Sequence, residues 1–144
     1  MRVLDADGGD KTILSRLVAL SDHVIFSQQG LDDFAGGENL TNQLNHAAGC
    51  GPKIVAVTVG AQGSYWLIDG RVVHVEAFPV GAADTTGCGD VFHGAYSLAL
   101  TEGKHPIAAA QFAAAAAALK AARGMGWDGM PDRSAVEGLL KREA

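Results

Sequence analysis

Two kinds of apolar pattern alternate along this 144-residue chain. Short apolar runs of strand length lie at residues 2–5, 23–26 and 53–59, and the last of these is rich in β-branched residues. Such runs are typical of parallel strands that are covered on both faces. Between them, apolar residues recur at helical spacing, as in the segment that follows Asp10 and Thr12. Strands that alternate with helices predict an α/β layered fold.

The remaining elements follow from the same periodicities and from turn residues. Asp69-Gly70 is a favoured two-residue turn, so residues 64–68 and 71–75 are predicted to form a β-hairpin. The apolar face of the first predicted helix consists of Ile13, Leu14, Leu17, Val18 and Leu20. Further helices are predicted near residues 31–35, 38–48, 90–101, 106–122 and 133–142.

Composition excludes several classes of function. The net charge of −5 argues against a nucleic-acid surface, which would need a basic patch. The longest apolar stretch is an interrupted alanine run that is too weakly hydrophobic to span a membrane, and no signal segment opens the chain. The two cysteines, Cys50 and Cys88, are far apart and favour reduced thiols in a cytosolic protein. A cytoplasmic protein without nucleic-acid or membrane partners is therefore expected.

The strongest chemical signal lies in residues 84–97, which read Asp-Thr-Thr-Gly-Cys-Gly-Asp-Val-Phe-His-Gly-Ala-Tyr-Ser. Small residues at 87–89 directly precede Asp90, and a helical pattern follows. A tight turn therefore leads into a helix N-terminus, where free N–H groups and the helix dipole favour anions. An aspartate there can also accept a proton, and phosphoryl transfer to a hydroxyl needs both properties. The alternative is that Asp90 only caps the helix.

This stretch resembles the second signature of the PfkB (ribokinase-like) carbohydrate kinases, Asp-Thr-x-Gly-Ala-Gly-Asp followed by three residues and two small ones. The matching positions are Asp84, Thr85, Gly87, Gly89, Asp90, Gly94 and Ala95, and Cys88 replaces the usual alanine. The resemblance implies that Asp90 is the catalytic base and that Gly87, Cys88 and Gly89 form the anion hole. It also implies that Asp84 and Thr85 shape the turn and contribute to a monovalent-cation site.

Two other segments resemble the same family. Thr58-Val59-Gly60-Ala61-Gln62-Gly63 follows the strongest predicted strand at its C-terminal end, where open α/β sheets bind ligands. By itself this is a glycine turn found in many folds, but it is similar to the family's Thr-x-Gly-x-x-Gly segment. The resemblance assigns nucleotide binding to Thr58, Gly60 and Gly63. It also places the loop that contains Gly126 beside the adenine base.

The chain differs from the family in two respects. Family members are much longer, and residues 1–144 resemble only their C-terminal, nucleotide-side half, which we expect to form a single domain. The first glycine-rich signature, most sugar contacts and the lid would then be missing. In addition, Ser-Gln-Gln-Gly stands at residues 27–30, where many relatives carry Asn-x-x-Glu to help hold Mg²⁺. Gln28 and Gln29 can orient a water molecule but bring no charge.

The resemblance implies a ribokinase-like fold with a mostly parallel sheet between helices, and ATP-dependent phosphorylation of a sugar hydroxyl. The phrase Asp-Val-Phe-His-Gly-Ala at 90–95 is most similar to bacterial sugar kinases related to ketohexokinase. ATP and Mg²⁺ are the expected cofactors, and a sugar and a nucleotide the expected ligands. We expect a homo-oligomer, since a truncated sheet exposes an edge. The alternative is a non-catalytic nucleotide-binding or structural remnant that needs a partner chain.

Overall fold

Five β-strands and six α-helices form the part of the chain that the computed structural model describes, which comprises residues 1–37 and 39–143 without the side chain of residue 143. Internal contacts divide the chain into two compact units, Met1–His74 and Val75–Ala144. The predicted α/β fold with a mostly parallel sheet is confirmed, and an antiparallel hairpin extends the three parallel strands.

The first unit contains most of a five-stranded sheet whose strand order is β1-β2-β3-β4-β5. Strands β1 to β3 run parallel, and β4 is antiparallel to β3. The elements are, in order, β1 (Val3–Ala6), α1 (Lys11–Leu20), β2 (His23–Ser27), α2 (Gln28–Ala35), α3 (Leu40–Ala48), β3 (Ile54–Thr58), β4 (Ser64–Ile68) and β5 (Arg71–Val75). The last residue of β5 begins the second unit.

The core of the first unit lies between the parallel strands and helices α1 to α3. Alternate strand residues on one face of the sheet meet one buried stripe from each helix. The cluster consists of Ala6, Leu14, Val18, Val24, Phe26, Leu31, Phe34, Leu44, Ala47, Val55, Val57 and Leu67. Four of the five residues of both β2 and β3 are buried, which explains why their sequences are continuously apolar rather than alternating.

Turn geometry and side-chain caps determine where the predicted hairpin turns and where helices α1 and α2 begin. Asp69 and Gly70 both have positive φ angles, of 49° and 74°, as a two-residue hairpin turn requires. Asp10 caps α1 by accepting a hydrogen bond from the Ile13 N–H at 3.0 Å. Helix α2 begins at Gln28 rather than near residue 31, because the Ser27 hydroxyl accepts the Gly30 N–H at 3.1 Å and caps the helix three residues earlier.

The second unit is helical. Helix α4 (Cys88–Thr101) packs along α5 (Pro106–Arg123), which also contacts α6 (Arg133–Glu143). The alanine run of α5 lies largely buried, so its small side chains allow close helix packing. Arg133 at the start of α6 pairs with Glu102 and lies over the Phe112 ring.

An edge of the sheet and one face of α1 are open to solvent. Strand β1 is an outer strand of the sheet. Of the predicted apolar face of α1, only Leu14 and Val18 are buried, whereas Ile13, Leu17 and Leu20 are 59%, 43% and 58% exposed. We call these three residues the α1 stripe. Among the described residues, no helix is both long and apolar enough to cross a membrane.

A substitution in α2 tests the close approach of this helix to β1. A Cβ atom on Gly30 would overlap the Ala6 carbonyl oxygen and touch the Asp7 backbone. We therefore expect Gly30→Ala to lower the free energy of unfolding by about 1–3 kcal/mol, as overpacking does. Urea denaturation measures the effect. The control is Gly138→Ala in α6, where a Cβ meets no atom within 4 Å; it should stabilise by about 0.5–1 kcal/mol. Equal effects of both substitutions would contradict the proposed clash.

Acid should weaken the start of α6. The Asp132 carboxylate accepts hydrogen bonds from the Ala135 N–H and the Ser134 hydroxyl, both at 2.8 Å, and these bonds lower the pKa of Asp132. Because the pKa of Asp132 is lower in the folded chain, its carboxylate contributes stability above the ordinary pKa of an unfolded aspartate, and this contribution is lost as the pH falls through the folded-state pKa. The melting temperature of the parent should therefore exceed that of Asp132→Asn near neutral pH, and the gap should narrow as the pH falls below the ordinary pKa of an aspartate. A gap that does not vary with pH would refute the assignment.

Candidate active site

The turn that begins α4 owes its shape to Gly87. This residue adopts a left-handed backbone with φ 75° and forms the N-cap of the helix. The Val91 N–H bonds to its carbonyl at 3.0 Å, which closes the first helical turn. The helix therefore begins at Cys88, two residues before the predicted start, and the small residues at 88 and 89 belong to its first turn. The predicted junction between a tight turn and a helix N-terminus is confirmed.

Asp90 lies in that first turn and is exposed. Its Oδ2 atom is 3.9 Å from the position that a Cβ on Gly87 would occupy, so the carboxylate lies beside the helix start. The N–H groups of Gly89 and Asp90 belong to the first turn, which offers no acceptors within the helix. The Cys88 N–H, in contrast, donates to the Thr85 carbonyl at 3.1 Å. An exposed carboxylate and N–H donors thus share one helix end, and the Cys88 amide already has a partner.

Asp84 holds the preceding part of the turn. Its Oδ1 atom accepts the Thr86 N–H at 2.9 Å. Hydrogen bonds from the backbone and side chain of Thr86, with a smaller contribution from the charge of Lys120, lower the pKa of Asp84. Asp84 therefore remains ionised at neutral pH and fixes the turn by an Asx-type hydrogen bond. Burial raises the pKa of the Cys88 thiol, so this side chain is neutral there.

The C-terminal end of α5 braces the same turn. The Ala121 carbonyl accepts the N–H groups of Ala83 and Asp84, at 2.8 and 3.2 Å. Gly124, which ends the helix with a φ angle of 62°, approaches Asp84 so closely that an added Cβ would be 3.4 Å from the Asp84 Cβ. The structure thus brings the turn at 84–90 together with the end of α5.

Lys120 is a residue of this site that the sequence analysis missed. Its side chain is only 3% exposed, and its ammonium donates a hydrogen bond to the Thr86 carbonyl at 3.2 Å. A signal was present, because a lone charge interrupts the alanine-rich sequence of a helix. Lysine is almost never fully buried without a partner.

The predicted residue Gly126 lies in the loop after α5. This loop contains a short 3₁₀ helix (Gly126–Gly129), and the Gly126 backbone has a φ angle of 52°. Arg123 holds the far side of the loop by donating to the Met130 carbonyl at 3.3 Å. Trp127 is 85% exposed, and Met125 is also exposed. The loop therefore presents apolar side chains to solvent.

The predicted segment Thr58–Gly63 lies in the first unit, at the C-terminal end of β3. It forms a short 3₁₀ turn (Gly60–Gln62) that is closed by the Val59 N–H bonding to the Gly63 carbonyl at 2.8 Å. Gly60 and Gly63 have φ angles of 57° and 90°, so glycine is needed at both positions. The Thr58 hydroxyl donates back to the Phe26 carbonyl, at 3.4 Å.

A histidine that the sequence analysis left without a role braces this turn. The His74 Nε2 atom donates to the Gln62 carbonyl at 2.7 Å, and the His74 ring stacks on Tyr65 with 4.5 Å between centroids. By contrast, His93 bonds backwards along α4, from Nδ1 to the Gly89 carbonyl at 2.8 Å. That contact favours a helix-packing role for His93.

The described residues offer little for a metal ion. They contain no group of three or more His, Cys, Asp or Glu side chains that could hold one. The amide of Gln29 donates to Asp33 at 2.9 Å, so it stabilises helix α2. Around the predicted monovalent-cation site, the carbonyls of Asp84, Thr85 and Thr86 accept contacts from the Cys88 thiol, the Cys88 N–H and the Lys120 ammonium, respectively. The three successive carbonyl oxygens of this turn therefore already accept contacts from groups of the chain itself.

Comparison with known proteins places these features in one family. Residues 1–132 match the pfkB family of carbohydrate kinases. A ribokinase of Arabidopsis thaliana is 35% identical over 146 aligned positions, which cover 96% of this chain and 38% of the relative. The crystal structure of Arabidopsis thaliana ribokinase with ribose and ATP superposes with a TM-score of 0.83 at 34% identity, covering 96% of this chain and 47% of that one.

A structure described as a candidate ribokinase II from E. coli, in complex with ATP and Mg²⁺, superposes with a TM-score of 0.83 at 27% identity. The superposition covers 91% of this chain and 42% of that chain. The chain therefore spans less than half the length of these relatives. The match over residues 1–132 and the shared fold establish that this chain belongs to the pfkB family of carbohydrate kinases.

Proposed function

We propose that this chain is the nucleotide-side part of a kinase that transfers the terminal phosphoryl group of ATP to a sugar hydroxyl. The observation that carries the proposal is the exposed Asp90 carboxylate beside the first-turn N–H groups of α4. A base and an anion site at one helix end are what phosphoryl transfer to a hydroxyl requires. The complex of a family member with ribose and ATP supports the same ligands here.

Asp90 would accept the proton of the attacking hydroxyl as its oxygen forms a bond to the terminal phosphorus. The bond from that phosphorus to the bridging oxygen breaks, and ADP leaves with the electron pair. The Gly89 and Asp90 N–H groups would stabilise the charge on the transferred group. Gly87 supplies the left-handed turn that aims them, while the Cys88 N–H would need to share its bond with Thr85 to join the anion hole.

The two other predicted segments would bind the nucleotide. The turn at Thr58, Gly60 and Gly63 permits close approach of a ligand to the backbone, because glycine has no side chain to obstruct it. The exposed apolar side chains beside Gly126 offer a surface for the flat adenine base. His74 fixes the first of these turns through the Gln62 carbonyl.

Mg²⁺ fits this proposal only as an ion carried by the nucleotide. It commonly binds through one or two carboxylates together with substrate phosphates and water. Gln28 and Gln29 bring no charge, and Gln29 is engaged with Asp33. When bound, the ion would neutralise phosphate charge. A cytoplasmic location stays a prediction. A monovalent cation at Asp84 and Thr85 also stays a prediction, but the contact of the Lys120 ammonium with the Thr86 carbonyl argues against it.

A second candidate function has one observation in its favour. The chain spans 38% of the Arabidopsis thaliana ribokinase sequence and 47% of the ribokinase chain in the crystal structure with ribose and ATP. A non-catalytic nucleotide-binding or structural piece that needs a partner chain is consistent with that length. Positioning of the acceptor can supply about 7–11 kcal/mol of the barrier reduction, so the chain alone should not phosphorylate sugar at an enzyme-like rate.

Replacement of Asp90 tests the proposed base. The assay measures sugar-dependent ADP production. The enzyme is a fusion protein in which the N-terminal half of a ribokinase is joined to this chain. Asp90→Asn keeps the size of the side chain and removes the base, so the rate should fall by about 10²–10⁴-fold. ADP affinity, measured by calorimetry, should stay nearly unchanged.

The matched control is Asp69→Asn, which removes a carboxylate from the exposed hairpin turn, where asparagine tolerates the positive φ angle. It should retain the parent rate. If Asp90→Asn keeps more than half of that rate, Asp90 is not the base. If the fusion binds ADP but turns over no sugar tested, the non-catalytic alternative is favoured.

The open β1 edge and the α1 stripe predict that the chain self-associates as a homo-oligomer. Replacing Ile13, Leu17 and Leu20 together by serine should lower the average mass measured by analytical ultracentrifugation. The control, Leu98→Ser, changes an exposed apolar residue on α4 and should leave the mass unchanged. A monomeric parent chain, or a triple variant that associates as strongly as the parent, would contradict this prediction.

A further inference from the structure

Lys120 is buried in the second unit, although burying a charged side chain costs free energy unless it is compensated. It lies in the last turn of α5, and its neighbours Ala118 and Ala121 are also buried. Lysine usually extends its ammonium into water even when its carbon chain is covered. Here the side chain is 3% exposed, and the ammonium donates to a backbone carbonyl rather than to solvent. An ammonium kept from water must be compensated by the groups it contacts.

The contact of Lys120 complements a second contact from the same helix turn. The Ala121 carbonyl accepts the N–H groups of Ala83 and Asp84, while the Lys120 ammonium donates to the Thr86 carbonyl. The end of α5 thus holds the segment 83–86 at both ends. The N–H groups of its first two residues donate to α5, and the carbonyl of its last residue accepts from α5. Gly87, whose left-handed backbone starts α4, follows directly. Lys120 therefore acts on the peptide unit that leads into the anion-binding turn.

The electrostatic setting favours a positive charge at this point. The Asp84 carboxylate belongs to the same turn as the Thr86 carbonyl, which accepts the hydrogen bond of the Lys120 ammonium. An ammonium ion resembles a potassium ion in charge, and it supplies directional hydrogen bonds in addition. A free cation that bound to the Thr86 carbonyl would compete with the Lys120 ammonium, which already donates to it.

We propose that Lys120 is the built-in cation of the Asp84–Gly87 turn and positions the anion site at the start of α4 without a free monovalent cation. The expected effect of Lys120 on nucleotide affinity rests on the proposed function. Its role in holding the Asp84–Gly87 turn does not. It assigns Lys120 a positioning role, since the side chain acts through the Thr86 peptide unit rather than on the reacting atoms.

The first experiment measures whether the turn needs an added cation. The melting temperature and the amide ¹H–¹⁵N spectrum of the whole chain are recorded in potassium chloride and in tetramethylammonium chloride at equal ionic strength. Tetramethylammonium is too bulky to enter the turn and forms no hydrogen bonds. The amide signals of residues 84–90 should coincide in the two salts. Large shifts confined to these residues in potassium chloride would overturn the proposal.

The second experiment replaces the ammonium. Lys120→Ala leaves space where the side chain was, so ammonium or potassium ions should restore both the parent amide spectrum and Mg²⁺–ADP affinity, whereas tetramethylammonium should not. Lys120→Met fills the space without charge, and no ion should restore it. In both variants Mg²⁺–ADP should bind at least about tenfold more weakly without rescue, which equals about 1.4 kcal/mol. Lys104→Met, a change at an exposed lysine of the same unit, controls for net charge.

The outcomes separate the two proposals. If the parent chain does not bind Mg²⁺–ADP, the proposed function fails, and the spectra of the parent and of Lys120→Ala still decide the role of Lys120. If Lys120→Met does not fold, the ion rescue of Lys120→Ala and the comparison of salts with the parent remain decisive. Parent-like spectra and affinity for Lys120→Met, or equal rescue of Lys120→Ala by tetramethylammonium, would overturn the assignment.

Discussion

The left-handed backbone of Gly87 is the constraint on which the candidate site depends. Because φ is 75° there, the turn at Thr86 and Gly87 leads directly into α4, whose first turn contains the exposed Asp90 carboxylate. A residue with a Cβ would be strained at this backbone angle, although its Cβ would lie 3.9 Å from the Asp90 Oδ2 atom, which is an ordinary contact. The hydrogen bonds of Asp84 and the contacts from the end of α5 then hold the turn in place. Electrostatic preorganisation of this kind is the main resource of phosphoryl-transfer enzymes.

Much of this arrangement could be predicted from the sequence, because it depends on local chemistry. Glycines before an aspartate and a helical pattern predict a helix N-terminus, and Asp69-Gly70 predicts a hairpin turn. Continuous apolar runs predict buried parallel strands. In each case neighbouring residues determine the backbone, so no knowledge of distant contacts is needed. Helix α2 begins three residues earlier than its apolar spacing predicts, because the Ser27 hydroxyl caps it there.

What the sequence did not reveal depends on contacts between distant residues. Lys120 and Thr86 are separated by 34 positions, and only folding shows that the ammonium reaches that carbonyl. The bond from His74 to Gln62 likewise needs the hairpin to fold back. Helical spacing alone could not show that Ile13, Leu17 and Leu20 remain exposed, since periodicity identifies a face of a helix but not what covers it. The engagement of the Cys88 N–H by Thr85 is a similar detail of the folded turn.

The central claim is that the start of α4 binds the phosphate groups of a nucleotide. It is tested most directly by titrating the ¹⁵N-labelled chain with Mg²⁺–ADP and following each amide signal. The largest shifts should occur at Gly89 and Asp90, and they should saturate as the nucleotide concentration rises. Shifts that leave residues 87–90 unchanged while the nucleotide binds elsewhere would contradict the account.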